Sequence, residues 1–164
     1  MKTEKLGRNL TLMMDFYELT MAAGYFEDGY VDQIAVFDMF FRKIPDGGGF
    51  AIMAGLEQFI EVIESFGFTE EDIEYLRAKG DFSEVFLAYL NDFTFHCNVW
   101  AVEEGTPIFP GEPMVTAEGP GIEAQLIETL LLVTFTHQSL ICTKANRGVR
   151  ACEGRAVLSY DSDA

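Results

Sequence analysis

Two basic side chains before a glycine-rich turn are the first candidates for a chemical role. Arg42 and Lys43 end an apolar stretch rich in aromatic residues, and the turn sequence PDGGG (45–49) follows at once. Cationic groups beside flexible backbone amides suit a phosphate or carboxylate ligand. A solvated hairpin tip explains the same residues, because the glycines lack the spacing and the following helix of a nucleotide loop. Both interpretations stay open.

A second group of bases lies near the C-terminal end of the sequence. Lys144, Arg147 and Arg150 recur every three residues, which places them near one face of a helix. The helix dipole favours cations at this end by ~0.3–1 kcal/mol each, so a structural role accounts for them. In a chain with 27 acidic and 11 basic residues, the cluster is equally a place to hold an anionic ligand.

Two acidic motifs have ordinary explanations. The sequence DFYE (15–18) is typical of an acidic first helical turn with an aromatic residue on the core face. A tyrosine there could stack on a planar ring, but nothing local requires it of Tyr17. Glu103 and Glu104 alternate across a predicted strand, so they do not face one site, and we interpret them as surface acids.

The cysteines and histidines do not form a metal or nucleophile motif. Cys97, Cys142 and Cys152 lack CxxC spacing, and we interpret them as small buried hydrophobic residues. His96 and His137 are far apart and lack an HExxH-like partner, so we predict structural roles for both. We therefore expect no metal bound by this chain alone.

Composition excludes several classes of protein. Hydrophobic residues make up 49% of the 164-residue chain, which is too many for a disordered protein despite the net charge of -16. Nucleic-acid binders carry basic surfaces, and this chain is strongly acidic. No uninterrupted apolar run approaches the ~18 residues of a membrane span, and the N-terminus lacks a signal-peptide core. We expect a cytoplasmic protein that binds neither nucleic acid nor membrane.

Periodicity predicts mixed helices and strands around these residues. A helix at 13–25 precedes strands at 34–41 and 50–54, which the glycine-rich turn is expected to join as a hairpin. The remaining predictions are helices at 55–65, 70–78 and 82–91, strands at 98–103 and 114–118, a helix at 122–152 broken near 134–136, and a buried strand at 156–158. A final strand without a partner indicates that a second domain is beginning.

Six groups of segments recur in the order found in a known family. They are MDFYELTMA (14–22), AVFDMFFRK (35–43) with GGF (48–50) and AGLE (54–57), FT to YL (68–76), EGTPIFPGEP (104–113) with EGP (118–120), QLIET (125–129) and SLICTKANR (139–147). Together they resemble the nicotinate phosphoribosyltransferases, whose opening motif reads TDLYQLTMA. The resemblance covers roughly residues 11–158.

The resemblance implies an α+β or α/β fold. It predicts the N-terminal α/β domain of a type II phosphoribosyltransferase at 1–120. Residues 121–164 would be the connecting helix and first strand of an α/β barrel, with the rest of the barrel missing. Full-length members join nicotinate to phosphoribosyl pyrophosphate with ATP and magnesium, and they generally form homodimers. This chain is expected to bind no cofactor itself.

Residue roles follow from the matched motifs. Tyr17 would stack on the nicotinate ring, which overturns the ordinary local explanation of that residue. Arg42 and Lys43 match the family's FFRK and are expected near the phosphates. Lys144 and Arg147 match TKAAR and are expected to be structural or close to an anion.

The sequence departs from the family after residue 158. Members continue through an FGxRRAQG segment, whose arginines belong to the active site, whereas this chain continues SYDSDA (159–164). The catalytic residues are therefore expected in the missing barrel, so the sequence predicts an N-terminal fragment that is inactive alone. A non-catalytic dimerisation or interaction module is the alternative. A related enzyme for nicotinamide or quinolinate fits the opening motif less well. Apolar faces meant for the barrel should be exposed.

Overall fold

Helices and two small antiparallel sheets alternate along the chain. In the computed structural model, which describes residues 9–153 and 155–156, the helices are Phe16–Glu27 (α1), Leu56–Ile63 (α2), Glu70–Lys79 (α3), Glu84–Asn91 (α4), Gly121–Gln125 (α5) and Glu128–Ala151 (α6). The strands are Ile34–Met39 (β1), Ala51–Ile52 (β2), Asn98–Ala101 (β3), Pro107–Ile108 (β4) and Val115–Pro120 (β5). The predicted mixture of helices and strands is confirmed.

Local sequence signals account for the helices of the middle region. Thr69 accepts a hydrogen bond from the Asp72 amide at 3.2 Å, and the Asp72 carboxylate accepts one from the Thr69 amide at 2.8 Å. This reciprocal capping box satisfies two amides that the first turn of α3 would otherwise leave unpaired. Gly80 ends α3 with φ +78°, a conformation that favours glycine. The helix predicted at 70–78 is therefore confirmed.

The predicted hairpin between 34–41 and 50–54 is wrong. β1 pairs with β5, with Val36 opposite Glu118, and β2 pairs with β4 in a separate sheet. The three-stranded sheet has the order β1-β5-β3, so both of its outer strands pair with β5. The turn at 45–49 contains a short 3₁₀ helix, Pro45–Gly47, that leads the chain from one sheet to the other. Alternation identifies a strand but does not choose its partner.

The predicted break in the last helix is also misplaced. The helix is interrupted at Leu126–Ile127, between α5 and α6, and runs without a break through residues 134–136. Phe135 is completely buried, and its ring lies 5.4 Å from that of Phe59 on α2. The threonines nearby have only a modest helix propensity. Burial of this apolar face stabilises α6 by more than that propensity costs.

The core lies between the sheets and helices α1 to α6. Its largest fully buried apolar side chains are Phe59, Phe86, Phe135, Met53, Leu76, Leu87, Leu90, Met114, Ile122, Leu126 and Ile127. Phe66, Phe68 and Phe93 form a T-shaped aromatic cluster with centroid distances of 5.8–6.4 Å. α6 packs on β2 and α2, and α5 packs on β1, β5 and α1. The described part of residues 121–164 thus contributes to this core, while the division at residue 120 stays a prediction.

Two further predictions concern the last residues and membranes. Most of the strand predicted at 156–158 lies outside the described residues, and Ala156 itself is not in a strand. Residues 121–151 are long and apolar enough to pass a simple test for a membrane-crossing helix, with a mean hydropathy of 1.3 in the best window. Of that window 44% is buried inside the fold, as in core helices of soluble proteins, so this is weak evidence for a membrane span.

Candidate functional site

α1 presents Tyr17 at the start of the long helix α6. Glu18, Leu19 and Ala22 of α1 face the core, so the helical repeat directs Tyr17 outward, and its side chain is 42% exposed. Partial burial and the nearby carboxylate of Glu128 raise the pKa of Tyr17 to about 12, with contributions from the charges of Glu18 and Asp15. The phenol therefore stays protonated at neutral pH. Tyr17 therefore has an accessible ring, and its hydroxyl group lies near the Glu128 carboxylate.

Glu128 is itself oriented by its neighbour on α5. The Gln125 side-chain amide donates a hydrogen bond to Glu128 Oε2 at 2.7 Å, and Gln125 is almost fully buried. This contact leaves the carboxylate with further capacity to accept a hydrogen bond from Tyr17 or from a ligand. The sequence QLIET thus places two polar groups beside the tyrosine, at the break between α5 and α6.

A cavity of about 220 Å³ opens beside this polar pair. Gln125 and Glu128 line one side, and the end of β1 with Arg42 lines the other. The complete lining is Phe37, Asp38, Met39, Phe40, Arg42, Ala124, Gln125, Glu128, Leu131 and Leu132. We call this cavity the β1–α6 groove. Aromatic walls with one cation and two acids suit a small planar ligand that carries a charge.

The groove brings together only some of the residues for which the sequence predicts a functional role. Arg42 lines it, and Tyr17 reaches it through Glu128, whereas Lys43, Lys144 and Arg147 are absent from its lining. Arg147 lies instead against the turn at 45–49, where a Cβ atom added to Gly48 would be 2.0 Å from Arg147 Nη2. Arg147, from the C-terminal basic cluster, therefore lies at the turn that follows Arg42 and Lys43 in the sequence. The assignment of Arg42 and Lys43 to phosphate stays a prediction.

Two hydroxyl groups on α6 anchor the segment after that turn. Ser139 Oγ accepts a hydrogen bond from the Ala54 amide at 3.1 Å, and Thr143 Oγ1 accepts one from the Ile52 amide at 2.8 Å. Together with Arg147 they form a row with a spacing of four residues, which is one face of a helix. This row holds the backbone of residues 48–54 along α6.

The interpretation of Glu104 as an ordinary surface acid is wrong. Its Oε1 accepts hydrogen bonds from the amides of Gly55 and Leu56, each at 2.7 Å. Gly55 precedes α2 and has no side chain with which to cap it, so a carboxylate from the loop after β3 does so. Glu104 also lies outside β3, which ends at Ala101. Sequence alone could not bring positions 55 and 104 together.

The cysteines are half-buried rather than fully buried. Cys97, Cys142 and Cys152 are free thiols in the described part of the chain. Burial, with a smaller contribution from Glu123, raises the pKa of Cys97 to about 12, so its thiol is unreactive at neutral pH. The predicted structural role of His96 agrees with its contact to Glu123, where Nδ1 lies 3.1 Å from Oε1.

The described residues do not suit a resident metal ion. Within 9–153 and 155–156, no three histidine, cysteine, aspartate or glutamate side chains come together as metal ligands. His96 and Glu123 lie together but supply only two such groups. We assign no step to magnesium or ATP on these residues.

Comparison with known proteins identifies the family. The model of the nicotinate phosphoribosyltransferase N-terminal domain matches residues 12–136. The chain is 45% identical over 149 residues to nicotinate phosphoribosyltransferase pncB2 of Mycobacterium tuberculosis, covering 91% of this chain and 32% of that protein. The Bacillus subtilis nicotinate phosphoribosyltransferase is 42% identical over 139 residues, covering 85% of this chain and 28% of that protein.

Solved structures agree with this result. The crystal structure of human nicotinic acid phosphoribosyltransferase matches with a TM-score of 0.80 and 34% identity, covering 89% of this chain and 30% of that chain. A nicotinate-nucleotide pyrophosphorylase from Pyrococcus furiosus has the same fold, with a TM-score of 0.70 at 20% identity over 99% of this chain and 35% of that chain. The chain spans about a third of the length of the relatives it matches. It belongs to the nicotinate phosphoribosyltransferase family, of which it contains the N-terminal domain.

Proposed function

We propose that this chain forms the nicotinate-binding wall of a nicotinate phosphoribosyltransferase. The complete reaction forms a bond between the pyridine nitrogen of nicotinate and C1 of phosphoribosyl pyrophosphate, while the bond from C1 to pyrophosphate breaks. The enzymes of this family couple the step to ATP and magnesium. Groups that stabilise the ribosyl centre must surround it, and we assign none of them to this chain.

The exposed ring of Tyr17 beside the β1–α6 groove carries the proposal. The phenol is neutral at physiological pH, as any tyrosine with the ordinary pKa of 10.0 is, so the ring can stack on the planar pyridine without charge repulsion from the nicotinate carboxylate. The Glu128 carboxylate lies near enough to the Tyr17 hydroxyl to raise its pKa.

The phosphates of the second substrate are proposed to approach the turn at 45–49. Arg42 and Lys43 precede this turn and are exposed, and the Arg147 guanidinium contacts Gly48 within it. Three cations from two elements at a glycine-rich turn match the chemistry of pyrophosphate. Lys144 lies one helical turn before Arg147 and adds to this positive charge.

Nicotinate binding to the 164-residue chain tests the proposal. Tyr17→Ala should abolish shifts of the groove resonances on nicotinate titration by NMR, whereas Tyr17→Phe should retain most of the affinity because the ring remains. Tyr75→Ala is a matched control, since Tyr75 is an exposed tyrosine on α3. Equal nicotinate affinity in Tyr17→Ala and the unaltered chain would refute a stacking role.

Catalysis needs a separate experiment. The isolated chain should show no turnover with nicotinate, phosphoribosyl pyrophosphate and ATP. Mixing it with a separately produced C-terminal fragment of the Bacillus subtilis relative should restore formation of nicotinate mononucleotide. Family-like turnover by the isolated chain would contradict the view that catalytic groups lie elsewhere. If the isolated chain binds nicotinate but the mixture of fragments stays inactive, only the proposal that this chain binds nicotinate is supported.

A second role as a dimerisation or interaction module is supported by exposed apolar side chains. Val36, Trp100 and Ile141 are each more than half exposed, on β1, β3 and α6. Such side chains favour association of the chain with itself or with a complete subunit. Sedimentation equilibrium should then show dimers whose fraction grows with concentration; a monomer at every concentration would exclude self-association. A cytoplasmic location is part of the same proposal.

A further inference from the structure

Glu18 is a completely buried acid adjacent to the proposed ring-stacking residue. Its Oε1 accepts hydrogen bonds from both the amide of Thr129, at 3.0 Å, and the Thr129 hydroxyl. That hydroxyl in turn accepts a hydrogen bond from the Asp15 amide at 3.1 Å. Three hydrogen bonds thus join the start of α1 to the first turn of α6, and all of them involve Thr129.

The second carboxyl oxygen of Glu18 has no such support. Oε2 is buried and has no hydrogen-bond partner among the described residues. Burial raises the pKa of Glu18, and the negative charges of Glu128 on α6 and Asp15 before α1 raise it further, against the lowering effect of the Thr129 hydrogen bonds. α4 and α5 also pack on α1, and their acidic residues are Glu84 and Glu123; neither is among the charges that raise the pKa of Glu18. The site therefore favours the neutral carboxylic acid.

Consecutive residues of the two helices interact in register. Glu18 bonds to Thr129, and Tyr17, one position earlier on α1, interacts with Glu128, one position earlier on α6. Successive residues of an α-helix differ by about 100° around its axis. A rotation of α1 that releases Glu18 from Thr129 must therefore also move the Tyr17 hydroxyl away from Glu128.

We propose that Glu18 is a positioning residue: through its hydrogen bonds to Thr129 it holds α1 in the rotation that keeps Tyr17 near Glu128, beside the β1–α6 groove. The functional part rests on the proposed role of Tyr17 toward nicotinate. The alignment itself needs no ligand.

The sign of the pH effect on stability follows from the direction of the pKa shift. The folded chain holds the Glu18 proton to higher pH than the unfolded chain, so the free energy of unfolding falls as pH rises between the two pKa values. Glu18→Gln keeps an oxygen to accept from Thr129 but cannot ionise. It should be more stable than the unaltered chain at pH 8, and the difference should shrink toward pH 5. If the stability difference between Glu18→Gln and the unaltered chain does not depend on pH, the raised pKa of Glu18 is contradicted.

The ionisation of Tyr17 reports the alignment directly. In chains with ¹³C-labelled tyrosine, the Tyr17 signal is assigned by its loss in Tyr17→Phe. A tyrosine with a pKa of about 12 is about 3% ionised at pH 10.5, whereas one with the ordinary value of 10.0 is about 75% ionised. For the unaltered chain and for Glu18→Gln we expect the low ionised fraction, about 3%. For Glu18→Ala we expect the ionised fraction of Tyr17 to rise toward about 75%.

Glu18→Gln separates position from charge, because it removes the Glu18 charge that itself contributes to the raised pKa of Tyr17 but keeps an acceptor for Thr129. A second control tests for a general effect of charge. Glu118→Ala removes one negative charge from the exposed face of β5 and should leave the Tyr17 titration unchanged. An unchanged Tyr17 titration in Glu18→Ala, or a Glu18→Gln titration that resembles that of Glu18→Ala, would overturn the proposal. If Glu18→Ala does not fold, the Glu18→Gln titration and its stability difference decide the question.

Nicotinate titration of the same variants distinguishes the two proposals. If Glu18→Ala lowers nicotinate affinity at least tenfold while Glu18→Gln keeps it, positioning and function are both supported. If the unaltered chain fails to bind nicotinate while the Tyr17 titration responds to Glu18→Ala, the binding role fails and the positioning role stands. Full nicotinate affinity in a Glu18→Ala chain with a displaced Tyr17 titration would refute the functional part alone.

Discussion

Thr143 Oγ1 accepts a 2.8 Å hydrogen bond from the backbone amide of Ile52. The same hydroxyl donates to the Ser139 carbonyl at 2.5 Å, so both of its roles are satisfied within a buried site. Through this contact, helix α6 supplies a partner to a strand only two residues long. The position of the turn at 45–49 thus depends on a side chain about 90 residues away.

Thr143→Val should destabilise the fold by about 1–3 kcal/mol. Valine matches the shape of threonine but leaves the Ile52 amide buried without an acceptor. Urea unfolding followed by circular dichroism measures the loss. Thr136→Val is the control, because Thr136 is half-buried on α6 and its hydroxyl makes none of the side-chain hydrogen bonds found within residues 9–153. Equal stability of the two variants would contradict the anchoring role.

Glu104→Ala should cost about 1–2 kcal/mol of stability and fray the first turn of α2. The substitution removes the acceptor for the amides of Gly55 and Leu56, which no side chain at the N-cap position replaces. Hydrogen exchange at these two amides should accelerate. The neighbouring Glu103→Ala removes the same charge without touching the cap and should change neither quantity. An effect equal to that of Glu103→Ala would disprove the capping role.

Gly119→Ala should destabilise the three-stranded sheet by about 1–3 kcal/mol. A Cβ atom at this position would lie 2.5 Å from Cys97 Sγ and 2.8 Å from Cys97 Cα, well inside van der Waals contact. Thermal unfolding of Gly121→Ala provides the control, since a Cβ atom there meets its nearest neighbour at 3.5 Å. Cys97→Ala combined with Gly119→Ala should recover only part of the loss, because the contact with the Cys97 backbone remains. Full recovery would contradict this steric account.

The exposed apolar side chains of α6 should bind hydrophobic dyes. Leu132, Val133, Ile141 and Val149 are each between 45% and 55% exposed. Surfaces of this kind usually contact another protein or domain. Anilinonaphthalene sulfonate fluorescence should therefore rise on mixing with the chain and fall in Ile141→Lys. His137→Lys, at an exposed polar position of the same helix, should keep the signal. No dye fluorescence above buffer would contradict the prediction of an unpartnered apolar face.

Sequence reasoning succeeded where the deciding interactions lie within a few residues. The Thr69–Asp72 capping box and Gly80 define α3, and all three positions fall within twelve residues of one another. Capping and helical periodicity are local effects, so they can be recognised without tertiary structure. The family resemblance likewise depends on short motifs in a fixed order, which the matched domain at residues 12–136 confirms.

Sequence reasoning failed where distant segments compete for the same backbone groups. β1 pairs with β5 rather than β2, although the turn at 45–49 favours a hairpin. The polar partners of Tyr17 and Glu18 lie more than 100 residues later, so the ordinary explanation of DFYE was sound on local grounds. The capping role of Glu104 was missed for the same reason, since it depends on the start of α2 lying next to the loop after β3.

The amino-acid sequence alone determined the family, the main helices and the types of residue available for chemistry. Only the tertiary structure decided which of those residues meet. It placed Arg42 in the β1–α6 groove, moved Arg147 to the turn at Gly48 and paired Tyr17 with Glu128. The physical reason is that helix caps and periodicity depend on neighbours in the chain. Strand pairing and burial of a carboxyl group depend instead on the packing of the whole core.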